Sequence, residues 1–167
     1  LTVVTIPSSQ AYVDCSGCIE KKAVKVVSDK DVIVFAHHYE GNKSDATLVL
    51  PTRTSGKDYI VMGYKQGLTA ERSQFMIVGS KDSTKIKITP SVSLLIGNNG
   101  TIPANTSYMI TLNEGEVYQG RARNGGTNDD VTGTKIEVID TGTTANCRTV
   151  AVFAGSSYTT VGGCTSG

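Results

Sequence analysis

The chain has 167 residues, four cysteines and a formal net charge of +1 from 16 basic and 15 acidic side chains. That length holds one domain with a buried core and is short for two, so residues 1–167 read as a single domain. The charges are interspersed, leaving no basic stripe for a phosphate backbone, and no apolar run reaches the ~20 residues of a membrane span, which argues against nucleic acid as a partner and against a spanning helix.

The chain starts at Leu1 with residues that already read as strand, as expected of a processed or excised piece of a longer protein. Runs rich in Val, Ile, Thr and Tyr then recur between clusters of Gly, Asn, Asp, Ser and Pro. They are Leu1–Ile6, Ala23–Ser28, Val32–His38, Thr47–Leu50, Tyr59–Tyr64, Gln74–Gly79, Lys85–Thr89, Tyr108–Leu112, Val117–Ala122, Lys135–Ile139 and Thr149–Phe153. Short strands at such spacing predict an all-β fold, an antiparallel β-sandwich of jelly-roll or Greek-key type with about ten to twelve strands and little or no helix.

The run "TKIKITP" alternates, placing Ile86 and Ile88 on a buried face and Lys85 and Lys87 in water. "VIVFA" and "VAVFAG" are apolar on both faces, as expected of central strands covered on both sides or lying beneath loops. "LLIGNNGTIPANTSYMITL" reads as strand, turn, short proline-bearing segment and strand, with Asn99-Gly100 predicted to supply the positive φ of a tight hairpin turn. "ARNGGTNDDVTGT" is the longest polar, glycine-rich interruption and the expected mobile loop, and "SSYTTVGGCTSG" reads as an irregular tail held by Cys164.

His37 and His38 sit side by side in "FAHHYEGNKSDATLVLP". Neighbours on a strand point to opposite faces, so the two rings do not share one ion; the expectation is one ring inward and one exposed, with Asp45 across a turn. A hydrolase using His37 or His38 would also need an activated nucleophile, and no G-x-S-x-G elbow occurs. No catalytic residue and no cofactor is therefore expected.

Cys15-Ser-Gly-Cys18 could be a redox couple, half of a zinc site or a disulfide-closed turn. A redox pair wants a following helix, and zinc wants two more ligands of matching spacing; neither is legible, which favours a structural disulfide. Four cysteines allow three connectivities; the local pairings Cys15–Cys18 and Cys147–Cys164 are favoured, because Gly17 permits a tight turn and the second pair flanks one strand and its tail. Asp129 and Asp130, with Asn128, are weak calcium candidates that fall well short of the oxygen set calcium takes. Asn42, Asn99 and Asn105 begin Asn-x-Ser/Thr acceptors in turn-like segments, which together with paired cysteines predict a secreted or cell-surface location.

The ordered segments "VSDKDVIVFAHHYEGNKSDATLVLP", "GKDYIVMGY", "RSQFMIVGSKDSTKIKITP", "IPANTSYMITLNEGEVYQGRA", "DVTGTKI" and "RTVAVFAG" followed by a cysteine resemble the N-terminal domain family of IgGFc-binding protein, from about Val24 to Cys164. The motifs suit a β-domain: Pro51 closes a strand, "LNEGEVYQ" reads as a hairpin through Gly115, and "DVTGTKI" turns through Gly133. The family's pattern has two cysteines after the strand matching "VAVFAG"; here Tyr158 stands near the first, only Cys164 remains, and Cys147 is a candidate replacement partner. The resemblance implies a non-enzymatic, extracellular adhesion or recognition module of a larger glycoprotein, binding protein or glycan through loops such as 53–58, 65–73 and 123–133. The alternative is a subunit of a fibre or matrix, assembled by strand exchange at open sheet edges between copies or neighbouring domains, with Leu1–Ile6 as the exchanged strand.

Overall fold

A computed structural model describes residues 1–41, 43–64, 70–125, 129–139 and 148–159. Among them, twelve strands form antiparallel sheets; the helical content is one turn at Ser8–Ala11 (α1) and a 3-10 turn at Thr52–Thr54. The strands are β1 (Ile19–Glu20), β2 (Val34–Glu40), β3 (Lys43–Val49), β4 (Asp58–Ile60), β5 (Ser73–Gly79), β6 (Thr84–Thr89), β7 (Leu94–Ile96), β8 (Gly100–Ile102), β9 (Tyr108–Leu112), β10 (Val117–Ala122), β11 (Lys135–Val138) and β12 (Val150–Ser156).

One sheet runs β12-β5-β10-β7-β8, with β1 pairing the start of β10 alongside β7; the second runs β4-β11-β6-β9; β2 and β3 pair only with each other. From β4 onward every consecutive pair of strands changes sheet except β7–β8, so the two layers are laced together by crossing connections, as in Greek-key sandwiches.

Alternation decides what the layers bury. Along β5, Ser73, Phe75, Ile77 and Gly79 face inward; along β6, Thr84, Ile86 and Ile88 do, while Lys85 is exposed. Ile88 lies opposite Ile136, and Lys87 opposite Glu137, where the outward side chains form an ion pair at 3.0 Å. Phe75, Ile77, Ile86, Ile88, Leu94, Leu112, Ile136 and Val150 have no accessible surface, and each such side chain contributes roughly 1.5–3 kcal/mol of burial free energy. Two tyrosine contacts tie the layers. Tyr108 of β9 meets Tyr118 of β10 hydroxyl to hydroxyl at 2.7 Å, and Tyr59 of β4 donates to the Val150 carbonyl of β12 at 2.7 Å.

Several expectations are corrected. Leu1–Ile6 and Ala23–Ser28 are not strands; their residues have β-propensity, but a strand exists only where a neighbour completes its hydrogen bonds. Within Tyr59–Tyr64 only the first residues pair, in β4. "VAVFAG" ends its sheet as β12 rather than occupying a central position, with Ala154 exposed. The fully covered strand is β10, whose first four residues are all buried. The turn after β7 takes its positive φ (+53°) at Gly97, not at Asn99-Gly100, and the proline-bearing segment contains strand β8. "LNEGEVYQ" does use Gly115 at φ +81°, yet it is no hairpin: it carries the chain from β9 in one sheet to β10 in the other.

Candidate functional site

The hairpin β2–β3 is the first candidate. Gly41, at φ +55°, opens a two-residue connection that sets the register Phe35↔Leu48, His37↔Ala46, His38↔Asp45 and Tyr39↔Ser44. Alternation then places Phe35, His37, Tyr39, Leu48 and Ala46 on one face. Phe35 and Tyr39 are each 70% exposed, and Leu48 is exposed beside them. "VIVFA" is thus not a covered central strand: Val32 and Ile33 precede β2 and are exposed as well. The reason is topological, since β2 pairs with no strand of either sheet.

Both histidines are exposed, which corrects the expectation that one packs inward. His37 Nε2 lies 2.9 Å from Ser44 Oγ across the ladder. Asp45 faces His38 in register but its Oδ1 accepts the Ala46 backbone N–H at 2.8 Å. The rings point to opposite faces, as strand geometry requires.

A second candidate surrounds the first cysteine pair. Cys15 and Cys18 form a disulfide with their Cα atoms 5.9 Å apart. Residues 13–18 lie along β10, whose side chains facing away from the core are Val117, Gln119 and Arg121. Gly17 N–H donates to the Gln119 carbonyl (2.7 Å), Ser16 Oγ donates to the Leu95 carbonyl (2.6 Å), and Arg121 donates to the Val13 and Asp14 carbonyls. The Gln119 side chain, fully buried, meets Gln74 at 2.9 Å. Sequence reasoning missed this network; the signal available was "YQGRA", a polar pair inside an otherwise apolar strand. Glu20, in β1, was missed too. Its Oε1 sits 3.0 Å from Cys15 Sγ and 3.8 Å from Cys18 Sγ, and its Oε2 pairs with Lys22 Nζ at 2.5 Å.

The calcium candidates are engaged by the protein itself. Asp129 Oδ2 accepts the Asn124 N–H at 3.2 Å; Asp130 Oδ1 accepts from Ser73 Oγ, Thr132 N and Thr132 Oγ1 at 3.2, 2.9 and 2.9 Å. The carboxylates brace the start of the turn into β11, and Asn128 lies outside the described residues. So do Asn42, Cys147 and Cys164. Asn99 and Asn105 stand on exposed turns. Among the loops expected to bind, 53–58 forms the 3-10 turn and a bridge from Gly56 to Val150, while 65–69 and 126–128 are outside the described residues.

Burial shifts two phenols. Tyr108 is pushed well above the ordinary tyrosine value by desolvation, with the neighbouring Tyr118 adding to the rise. Tyr118 is raised by burial too, although its hydrogen bond to Tyr108 acts the other way. Both stay neutral, which is what a bridge inside an apolar core requires.

These features define an antiparallel, disulfide-bearing β-sandwich that presents an apolar hairpin and turn residues on its outside. The chain belongs to the IgGFc binding protein family, whose profile matches residues 45–166. The match starts within β3, later than Val24, and takes in both sheets, but not the cysteine pair, β1 or β2. Domains of this family are extracellular, non-enzymatic binding domains. No curated protein and no solved structure matches the chain. No helix among the described residues is long and apolar enough to cross a membrane.

Proposed function

We propose that the chain is an extracellular recognition module that binds a protein partner through the outward face of β2–β3. The observation carrying this reading is the exposed cluster of Phe35, Tyr39 and Leu48 on a hairpin that no sheet covers among the described residues. A lone two-stranded ribbon is marginal in water, and an aromatic cluster standing clear of the body is what a partner's apolar surface covers. Leu48 beside the rings favours a protein over a glycan.

The immunoglobulin G Fc fragment is the first protein to present to it, because the family's description names it. Binding by the immobilised chain is expected to fall at least tenfold in Phe35→Ser/Tyr39→Ser with an unchanged circular dichroism spectrum. Full binding by that variant would remove the hairpin as the site. A second variant, with 123–133 replaced by a Gly-Ser linker, then reports on the loop route; unchanged binding there removes that loop as well.

A second reading has its own observation. Leu1–Ile6 is exposed and belongs to no strand, and β9 ends its sheet among the described residues. Donation of this segment to a sheet edge of another copy would make a fibre or matrix subunit. Sedimentation at rising concentration tests it: assembly that disappears on deleting residues 1–6 supports exchange, and a monomer at every concentration rules it out.

A further inference from the structure

We propose that Cys15, Cys18 and Glu20 form a second, reduction-dependent site: with the disulfide opened, the two thiolates and the Glu20 carboxylate bind one zinc ion and leave a fourth position to water. The sequence offered only half of a zinc site here. What the fold adds is a third ligand, brought in by β1.

Glu20 is placed for that role. Its Oε1 contacts both sulfurs, at 3.0 and 3.8 Å, and among the described residues it meets no other hydrogen-bond donor. A disulfide has no proton to give it. A thiol does, and a metal between the three atoms would use the same convergence. With Zn–S of about 2.3 Å and Zn–O of about 2.1 Å, tetrahedral geometry puts sulfur and oxygen about 3.6 Å apart and the sulfurs about 3.8 Å apart. The observed S···O distances bracket that value. The sulfurs must separate, and side-chain rotation on Cα atoms 5.9 Å apart supplies the movement without shifting the backbone.

The backbone carrying these ligands is held by the sheet rather than by the disulfide. Gly17, at φ +74° between the two cysteines, donates to the Gln119 carbonyl; Ser16 bonds Leu95 and also accepts the Arg121 N–H at 3.1 Å; Ile19 and Glu20 pair with Tyr118 and Val117. The turn therefore survives opening of the S–S bond, which is the preorganisation a metal site needs. Charge is balanced too. Two thiolates and one carboxylate around a dication leave a net −1, and Lys22 on the outer oxygen of Glu20 offsets it while fixing that carboxylate's orientation. Cys15 lines an open cleft of about 300 Å³ with Asp14, Gly97 and Arg121, so solvent reaches the site.

The chemistry balances. A dithiol reductant transfers two electrons and two protons to the sulfurs, the S–S bond breaks, and the reductant leaves as its own disulfide. Zinc then displaces both thiol protons to solvent as two Zn–S bonds form.

The test uses Cys147→Ser/Cys164→Ser, so that only Cys15 and Cys18 supply thiols. After reduction with dithiothreitol and anaerobic desalting, cobalt(II) is titrated in and then displaced with zinc. One equivalent bound, with intense tetrahedral visible bands and sulfur-to-cobalt charge transfer, is expected from the reduced protein and none from the oxidised one. Glu20→Gln should weaken uptake at least tenfold at unchanged thiol content, and Glu20→Asp should lose less. No uptake by the reduced protein, or full affinity in Glu20→Gln, overturns the proposal. Should Glu20→Gln fail to fold, melting of the reduced parent decides: zinc must raise its Tm, leaving that of the oxidised protein unmoved, and equal shifts or none refute the site.

Discussion

Phe75 and Phe35 sit in strands of equal length, and their fates are opposite. Phe75 in β5 has no exposed surface; Phe35 in β2 is 70% exposed. The difference lies in what each strand is given to pair with. β5 has hydrogen-bonded neighbours on both edges and a second sheet across its inward face, whereas among the described residues β2 has only β3. An apolar strand states a demand for cover, and topology decides whether the chain itself meets it.

The sharpest way to break this comparison is to delete both rings. Phe75→Ala should cost about 4 kcal/mol in urea unfolding, while Phe35→Ala should stay within about 0.5 kcal/mol. A cost above about 2 kcal/mol for Phe35→Ala would mean that the hairpin is covered in solution. Next in size is Gly120→Ala. A Cβ there would lie 2.5 Å from Cζ of the fully buried Phe75 ring, which has no room to retreat. Overpacking of this kind costs about 2 kcal/mol. Pairing it with Phe75→Leu, which withdraws the ring, should cost less than the sum of the two single changes if that contact is the cause.

A subtler contrast is with pH. In the folded body the raised phenol values of Tyr108 and Tyr118 mean that the native state keeps protons which the unfolded chain releases above the ordinary tyrosine value of 10.0. Their contribution is complete below that value and is lost as pH rises beyond it. The melting temperature should therefore fall with rising alkalinity, and less steeply in Tyr108→Phe; an unchanged slope would show that the bridge is open to solvent. Smallest of all is Lys87→Ala, which removes a half-exposed cross-strand ion pair and should cost no more than about 0.5 kcal/mol, less at high salt.

Legibility follows the same division. "TKIKITP" declares its inward face correctly because a strictly alternating strand has one way to bury its isoleucines, and "SQFMIVG" is located by its length and β-branching. The strands that sequence reasoning misses are β1 and β8, of two and three residues, too short for a period to register. Leu1–Ile6 and Ala23–Ser28 are over-read for the complementary reason: propensity is local, and ladder partners are not. The disulfide is legible from Gly17 and the spacing of Cys15 and Cys18. Glu20 as their neighbour is not, since β1 turns its carboxylate toward the sulfurs only once Ile19 and Glu20 have paired with β10.

The amino-acid sequence by itself determined the all-β class, the family, and which side of each alternating strand seeks cover, because these follow from side-chain period and ordered local motifs. Tertiary structure alone decided that β10 is the covered strand and β12 an outer one, that residues 13–18 sheathe β10, that Glu20 meets two sulfurs, and that the histidine strand stands uncovered. Each of these depends on which distant segment completes a strand's hydrogen bonds, a pairing that no local pattern specifies.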